Sequence, residues 1–171
     1  MAFYQQNNNS KHRAELLTKA VNMSKYFPDS EQDNLQGFLH HPAGFPLQCK
    51  KLWFRNPLSD IPDISGSMGL CFVSEKYIKP GTHLEITIPL RGETYKFTGK
   101  VVLIKNYGDK FEIGLWLASN SDVARIRIVE QICHIETYLK HKHFKEGPFI
   151  SRESVTQEWI NRFAASFPGT S

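Results

Sequence analysis

Few residue pairs in this sequence have the types and spacing that catalysis requires. Cys133 and His134 combine a potential nucleophile with a potential base. Because they are neighbours in a predicted helix, their side chains point in different directions and cannot form a hydrogen-bonded dyad. The sequence also lacks a serine nucleophile elbow, a glycine-rich phosphate loop with lysine and an HExxH motif. It therefore predicts no enzymatic activity.

Histidine and cysteine side chains are also potential metal ligands. His40 and His41 are adjacent, but no second ligand pair with a usable spacing lies near them in the sequence. This favours a solvated loop without a metal. The three cysteines, Cys49, Cys71 and Cys133, are odd in number, widely spaced and surrounded by apolar residues. We expect reduced thiols that pack as small hydrophobic side chains.

The charge distribution argues against several partner classes. The chain of 171 residues has a net charge of +4, and residues 37–120 carry ten basic and seven acidic side chains. This surplus suits a small anionic ligand better than nucleic acid, which calls for a dense basic stripe.

No apolar stretch approaches the roughly 20 residues of a membrane span, and residues 1–20 lack the apolar core of a secretion signal. We expect a cytoplasmic protein without a cofactor.

The apolar pattern divides the chain into three parts. Residues 1–36 are predicted to form a polar arm and a helix that Ser10 caps and that ends before Pro28. Residues 37–140 contain short alternating runs, typical of an antiparallel sandwich or small barrel, and then a helix. Residues 141–171 form a helical extension. The six predicted strands cover residues 47–54, 61–65, 69–73, 83–88, 95–103 and 111–117.

Two helices are predicted after the last strand. Ser121 or Asp122 caps the first, which ends at Gly147, and Ser151 caps the second. The first helix has so wide an apolar surface that it needs cover on more than one side. Its two stripes are Ile128, Ile132, Ile135 and Leu139, and beside them Ile126, Val129 and Cys133; the second helix presents Val155, Trp159, Ile160, Phe163 and Phe167.

Three sequence segments carry a resemblance to a known family. Residues 63–72, which contain the pattern DxSxxxG, and residues 80–89 resemble the PilZ domain, a bacterial module that senses cyclic di-GMP. Residues 114–117 are similar to the closing strand of that domain. The match covers about residues 38–140. It implies a mainly β fold, a six-stranded antiparallel PilZ-like barrel, here with one N-terminal and two C-terminal helices.

The family binds its ligand through an RxxxR motif before the first strand and a [D/N]xSxxG motif between the second and third strands. Arginine forks pair with phosphate or guanine edges and stack on the bases, while short Asp and Ser side chains add polar contacts. Glycine lets the backbone approach a flat ligand. The resemblance therefore implies that cyclic di-GMP contacts Asp63, Ser65 and Gly69.

Both motifs differ from the family pattern. Where RxxxR is expected, this sequence has His40 and Gly44, which supply no guanidinium. A second register reads KxxxR from Lys51 to Arg55, inside a predicted strand. The DxSxxxG motif is one residue longer than the family spacing, which a β-bulge would have to absorb. The candidate ligand residues are therefore Asp63, Ser65, Gly69, Arg55, Lys51, His40 and His41, with Lys50 as a further cation.

Two functions remain open from the sequence. The first is a cytoplasmic receptor that binds cyclic di-GMP, closes residues 40–54 over it and relays its state to a partner protein. The second, favoured by the missing arginines, is a degenerate PilZ protein that binds no nucleotide. It would act as a protein adaptor, or as a homodimer, through its C-terminal helices. In that case Asp63 and Ser65 form an ordinary strand-end turn.

Overall fold

Alternation of buried and exposed residues builds the β-strands of this protein into one sheet. A computed structural model describes residues 38–53 and 68–167. The predicted N-terminal helix and the predicted strand at residues 61–65 lie outside these ranges. The elements in chain order are β1 (Phe38–His40), β2 (Gln48–Lys51), β3 (Gly69–Ser74), β4 (His83–Leu90), β5 (Glu93–Tyr107), β6 (Lys110–Leu117), α1 (Asn120–Glu146) and α2 (Arg152–Phe163).

The sheet is mixed and, within the described ranges, open. Its strand order is β1-β3-β6-β5-β4-β2, so β1 and β2 are the two edges. β1 runs parallel to β3, whereas every other pair is antiparallel. The mainly β prediction is confirmed, but these residues do not form a closed antiparallel barrel. The first strand is predicted at residues 47–54, yet a shorter strand, β1, already precedes it and pairs with β3.

One face of the sheet packs against the core, and we call it the core face; the opposite side is the outer face. Leu84, Ile86 and Ile88 of β4 are fully buried on the core face, which confirms the strict alternation predicted for this strand. In β5 the alternation was predicted to continue to Leu103. A β-bulge after Val101 interrupts it, so that Leu103 lies opposite a residue of the outer face.

Helix α1 closes the core face of the sheet. Its N-cap is Ser119, whose hydroxyl accepts a hydrogen bond from the Asp122 amide at 3.2 Å, two residues before the predicted cap. Its C-cap is Gly147, as predicted, with a φ of 97° that favours glycine. The stripe of Ile126, Val129 and Cys133 joins the core. Ile128, predicted for the other stripe, is 60% exposed.

Helix α2 covers a second side of α1. Ser151 caps it, as predicted, and its Val155 and Trp159 are buried against Tyr138 and Leu139 of α1. The helix ends at Phe163, four residues earlier than predicted. Neither described helix combines the length and apolarity needed to cross a bilayer. Most of the wide apolar surface of α1 is therefore covered within the chain itself.

The three cysteines are free thiols. Cys71 and Cys133 are buried, which confirms the expectation that they pack as small hydrophobic side chains. Cys49 is exposed, because it lies on the edge strand β2. Burial raises the pKa of the Cys71 thiol above the ordinary cysteine value, which favours its protonated form.

Glu136 of α1 connects three elements. Arg91, in the turn between β4 and β5, donates a hydrogen bond to its carboxylate at 2.9 Å, and Arg152 at the start of α2 donates two more. Burial alone would raise the pKa of the Glu136 carboxyl, but the two guanidinium groups outweigh it and the pKa is lowered. The network holds the hairpin and α2 against α1.

We predict that Glu136→Gln lowers the free energy of unfolding at pH 7 by about 1 kcal/mol, a modest value because both arginines are about half exposed. Since the folded-state pKa lies below the ordinary 4.5, this stability is present above pH 4.5 and is lost as the pH falls through the folded pKa. Urea titrations at pH 7 and pH 3 measure it. The exposed Glu75→Gln is the control, and an equal effect of Glu136→Gln at both pH values would contradict the account.

Candidate functional site

A buried histidine fastens one edge of the sheet to α1. The Nδ1 atom of His41 lies 2.8 Å from Oε1 of Glu130, and its Nε2 atom lies 3.2 Å from the carbonyl oxygen of Phe45. The side chains of His41 and Glu130 are 5% and 0% exposed. The prediction that His41 belongs to a solvated loop is therefore wrong, because its ring lies inside the protein and bonds to α1. Its predicted contact with a nucleotide stays a prediction.

His40 lies on the outer face, where it belongs to a second polar group. Its Nδ1 atom is 3.5 Å from Oε1 of Glu112. The hydrogen bond from His40 lowers the pKa of the Glu112 carboxyl, although partial burial opposes it. The Nε2 atom of His134 also lies 2.7 Å from the carbonyl oxygen of His40. His40 is half exposed, but its ring and its backbone are both engaged by the protein.

Sequence reasoning missed Glu130. The sequence does contain a sign of its burial: Glu130 stands four residues after Ile126 and three before Cys133, so it lies within an apolar stripe of α1. A charged residue at such a position is buried with the stripe and needs a partner there. The partner, His41, is 89 residues away in the chain, so no local pattern identifies it.

Gly69 is required by packing of the protein itself. A Cβ atom at this position would lie 2.5 Å from the Phe38 ring and 2.8 Å from the carbonyl oxygen of Leu115. The Phe38 ring also packs on Trp116, with the ring centroids 4.8 Å apart. The space that the resemblance assigns to an approaching ligand is therefore filled by a side chain of β1.

The sheet register brings the end of β2 and the start of β3 into one transverse row. The amide of Leu52, just after β2, donates a hydrogen bond to the carbonyl of His83 at 3.0 Å. Across the next strands, His83 lies opposite Lys100, Lys100 opposite Trp116, and Trp116 opposite Gly69. These two chain ends flank residues 54–67. The row consists of Leu52, His83, Lys100, Trp116 and Gly69.

Basic and aromatic side chains share the outer face at this end of the sheet. Lys50 is exposed on β2, and Lys100 and Trp116 are half-buried. Neither lysine forms an ion pair with another residue of the described ranges, whereas nearby Lys96 pairs with Glu85 at 3.6 Å. We call the following residues the Lys–Trp surface: Lys50, His83, Lys100 and Trp116.

His83 has a buried polar atom without a visible partner. Its Nε2 atom makes no hydrogen bond with any of residues 38–53 and 68–167. Buried polar atoms of native proteins are nearly always paired, so an unpaired one beside two lysines marks a place where a polar ligand group would be accommodated. Sequence reasoning missed His83, Lys100 and Trp116, because a period-2 pattern shows which face they occupy but not what lies beside them.

The structure places four of the seven predicted ligand residues. Lys51 and Gly69 lie at the same end of the sheet, but Lys51 is opposite Leu84 and so belongs to the core-face side of its edge strand, unlike Lys50. His40 and His41 are engaged as described above. The other three lie outside the described residues: Arg55, Asp63 and Ser65.

Comparisons of the chain with family models, with curated proteins and with solved structures found no match.

We predict that Gly69→Ala lowers the free energy of unfolding by about 1–3 kcal/mol, the usual cost of overpacking, because the added methyl overlaps the Phe38 ring. Denaturant titration measures this. In a Phe38→Ala background the cost of Gly69→Ala should shrink, because only the Leu115 carbonyl still opposes the methyl. Equal costs in both backgrounds would show that Phe38 does not occupy this space.

Proposed function

We propose that this chain is a PilZ-type signalling module that binds cyclic di-GMP in the cytoplasm and relays its presence to a partner protein. The observation that carries the proposal is the transverse row that joins Lys100 and Trp116 to Gly69, the last residue of the DxSxxxG motif. Asp63 and Ser65 precede Gly69 by six and four residues. Four residues span at most about 14 Å and six at most about 22 Å, a reach that lets one ligand meet both the motif and the Lys–Trp surface.

The Lys–Trp surface offers the contacts that cyclic di-GMP requires. The ligand has two phosphates and two flat guanine bases. The ammonium groups of Lys50 and Lys100 supply charge for the phosphates, and Trp116 supplies an aromatic face. Trp53, which is 87% exposed at the end of β2, supplies another. Lysine is a point charge without the bidentate geometry of arginine, so we expect weaker binding than an RxxxR motif provides.

Strand β1 provides a route by which ligand binding would reach α1. β1 pairs with β3 from Gly69 onward, and the residue after β1, His41, is bonded to Glu130 of α1. In this proposal the segment after β1 does not close over the nucleotide, because His41 is already held in the interior. A shift of β3 on ligand binding is instead passed through β1 to the helix, a contiguous hydrogen-bonded path.

We predict that the full chain binds cyclic di-GMP with a micromolar Kd, about −8 kcal/mol, in calorimetric titrations at moderate salt. Lys100→Ala and Asp63→Ala should each weaken binding about tenfold or more, since each removes a charged or hydrogen-bonding contact. The control is Lys110→Ala, an exposed lysine in the β5–β6 hairpin at the opposite end of the sheet. No heat at millimolar ligand, or an equal loss in the control, would contradict the proposal.

A ligand-free adaptor is the second candidate function. The observation that favours it is the position of His41, which stands next to the expected first arginine and joins β1 to α1 instead of supplying a guanidinium. Helix α2 covers the apolar side chains of the C-terminal part of α1, among them Tyr138 and Leu139, so the apolar surface left for a partner is narrower than predicted. It lies where the two helices meet, at Phe144 and Phe149, which are 52% and 99% exposed.

If the chain is a homodimeric adaptor, Phe149→Ser should convert a dimer into a monomer, because it removes the most exposed large apolar side chain of the described residues. Sedimentation velocity over a concentration series measures this. Tyr77→Ser, which removes an aromatic residue that is 57% exposed away from the helices, is the control. A wild-type chain that is monomeric at every concentration would exclude the homodimer.

A further inference from the structure

We propose that His41, Glu130 and Cys133 bind one Zn²⁺ ion that links the exit of β1 to α1. One potential ligand atom from each of these residues lies within 4.8 Å of the other two. The side chains of His41 and Glu130 are 5% and 0% exposed, and Cys133 is fully buried. This site lies on the core-face side of the fold and is independent of the Lys–Trp surface.

The Glu130 carboxylate points to a missing partner. Its Oε1 atom bonds to the His41 ring, but its Oε2 atom is buried and has no hydrogen-bond partner in the part of the chain that the structure describes. A fully buried carboxylate oxygen without a partner is unfavourable by several times the net value of one hydrogen bond. A cation bound by Oε2 removes this penalty.

Helix α1 and the segment after β1 place the three potential ligands on two sides of one point, an arrangement that suits a metal ion. Glu130 and Cys133 are three residues apart in α1, so their side chains lie on the same face of the helix. His41 is oriented from the other side, because its Nε2 atom lies 3.2 Å from the carbonyl oxygen of Phe45. Metal-bound histidines usually donate their second N–H to such a carbonyl. This leaves Nδ1 of His41 to face the ion.

The donor set selects Zn²⁺ among the common metal ions. Imidazole nitrogen, thiolate sulfur and carboxylate oxygen are all zinc ligands, whereas Mg²⁺ and Ca²⁺ prefer sites made of oxygen atoms. On binding, the Zn–S bond replaces the S–H bond of Cys133, and the Zn–N bond replaces the hydrogen bond between Nδ1 of His41 and Oε1 of Glu130. The protons of these two bonds leave to solvent, and the Nε2–H group of His41 stays donated to the Phe45 carbonyl. The ion, one thiolate and one carboxylate then carry no net charge, which suits their apolar surroundings. A water molecule completes the tetrahedron.

A second group of potential ligands fits a metal less well. His40, Cys71 and Glu112 are also mutually close. Here, however, the Glu112 carboxylate already accepts hydrogen bonds from His40, from Cys71 and from Tyr107. His40 is also half exposed. The polar atoms of this group are satisfied without an ion, which distinguishes it from the site of Glu130.

The test uses the full chain, stripped with a chelator and titrated with Co²⁺ as a spectroscopic substitute for Zn²⁺. We expect one Co²⁺ per chain, with tetrahedral d–d bands and a thiolate-to-cobalt charge-transfer band. Zn²⁺ should displace it and raise the thermal unfolding midpoint. Cys133→Ser should abolish the charge-transfer band, and Glu130→Gln should weaken Zn²⁺ binding more than about tenfold. Cys49→Ser, at the exposed cysteine, should change neither the charge-transfer band nor the Zn²⁺ affinity.

Each alternative result overturns the proposal. A wild-type chain that binds Zn²⁺ more weakly than about micromolar would show that His41 and Glu130 form a simple hydrogen-bonded pair. This readout does not depend on whether any variant folds. A charge-transfer band that survives in Cys133→Ser but is lost in Cys71→Ser would assign the metal to the group of His40. Circular dichroism confirms that each variant is folded.

Discussion

A carboxylate in an apolar core needs a polar partner, and the attachment of β1 to α1 depends on the partner of Glu130. Its partner, His41, comes from the segment that follows the three-residue strand β1. The same segment is held a second time by the bond between His134 and the His40 carbonyl. Helix α1 and the edge of the sheet are thus joined by polar contacts as well as by the core.

The outer face depends on a related constraint at β1. Because Phe38 lies over Gly69 and Gly114 and packs on Trp116, the strands beneath it cannot carry larger side chains there. This packing orients Trp116 at the end of the sheet where the lysines are. Strand β1 therefore supports the Lys–Trp surface on the neighbouring strands through Phe38.

Local chemistry made part of this fold predictable. The alternation in β4, the Ser151 cap and the Gly147 terminus all follow from a few adjacent residues, and all are confirmed. The parallel pairing of β1 was not predictable, because it rests on contacts between Phe38 and residues 31 or more positions away. The bulge in β5 was not predictable for a similar reason, because the register of β5 is set by its pairing with β6.

The candidate site was less predictable than the fold. Motif matching identified Gly69 and Lys51, which lie at one end of the sheet, but it did not anticipate that His40 and His41 contact glutamates of β6 and α1. Lys100 and Trp116 join the site only through strand register. A single sequence shows which residues are polar on a strand, whereas the row they form depends on pairings across the whole sheet.

The most direct test of the proposed site is an amide NMR spectrum of the full chain during addition of cyclic di-GMP. The account predicts saturable shifts at Gly69, Lys100 and Trp116, with the hairpin at Tyr107–Lys110 unchanged. Such a result would locate the ligand on the transverse row. Shifts confined to that hairpin or to α2, or no shifts at saturating ligand, would contradict it.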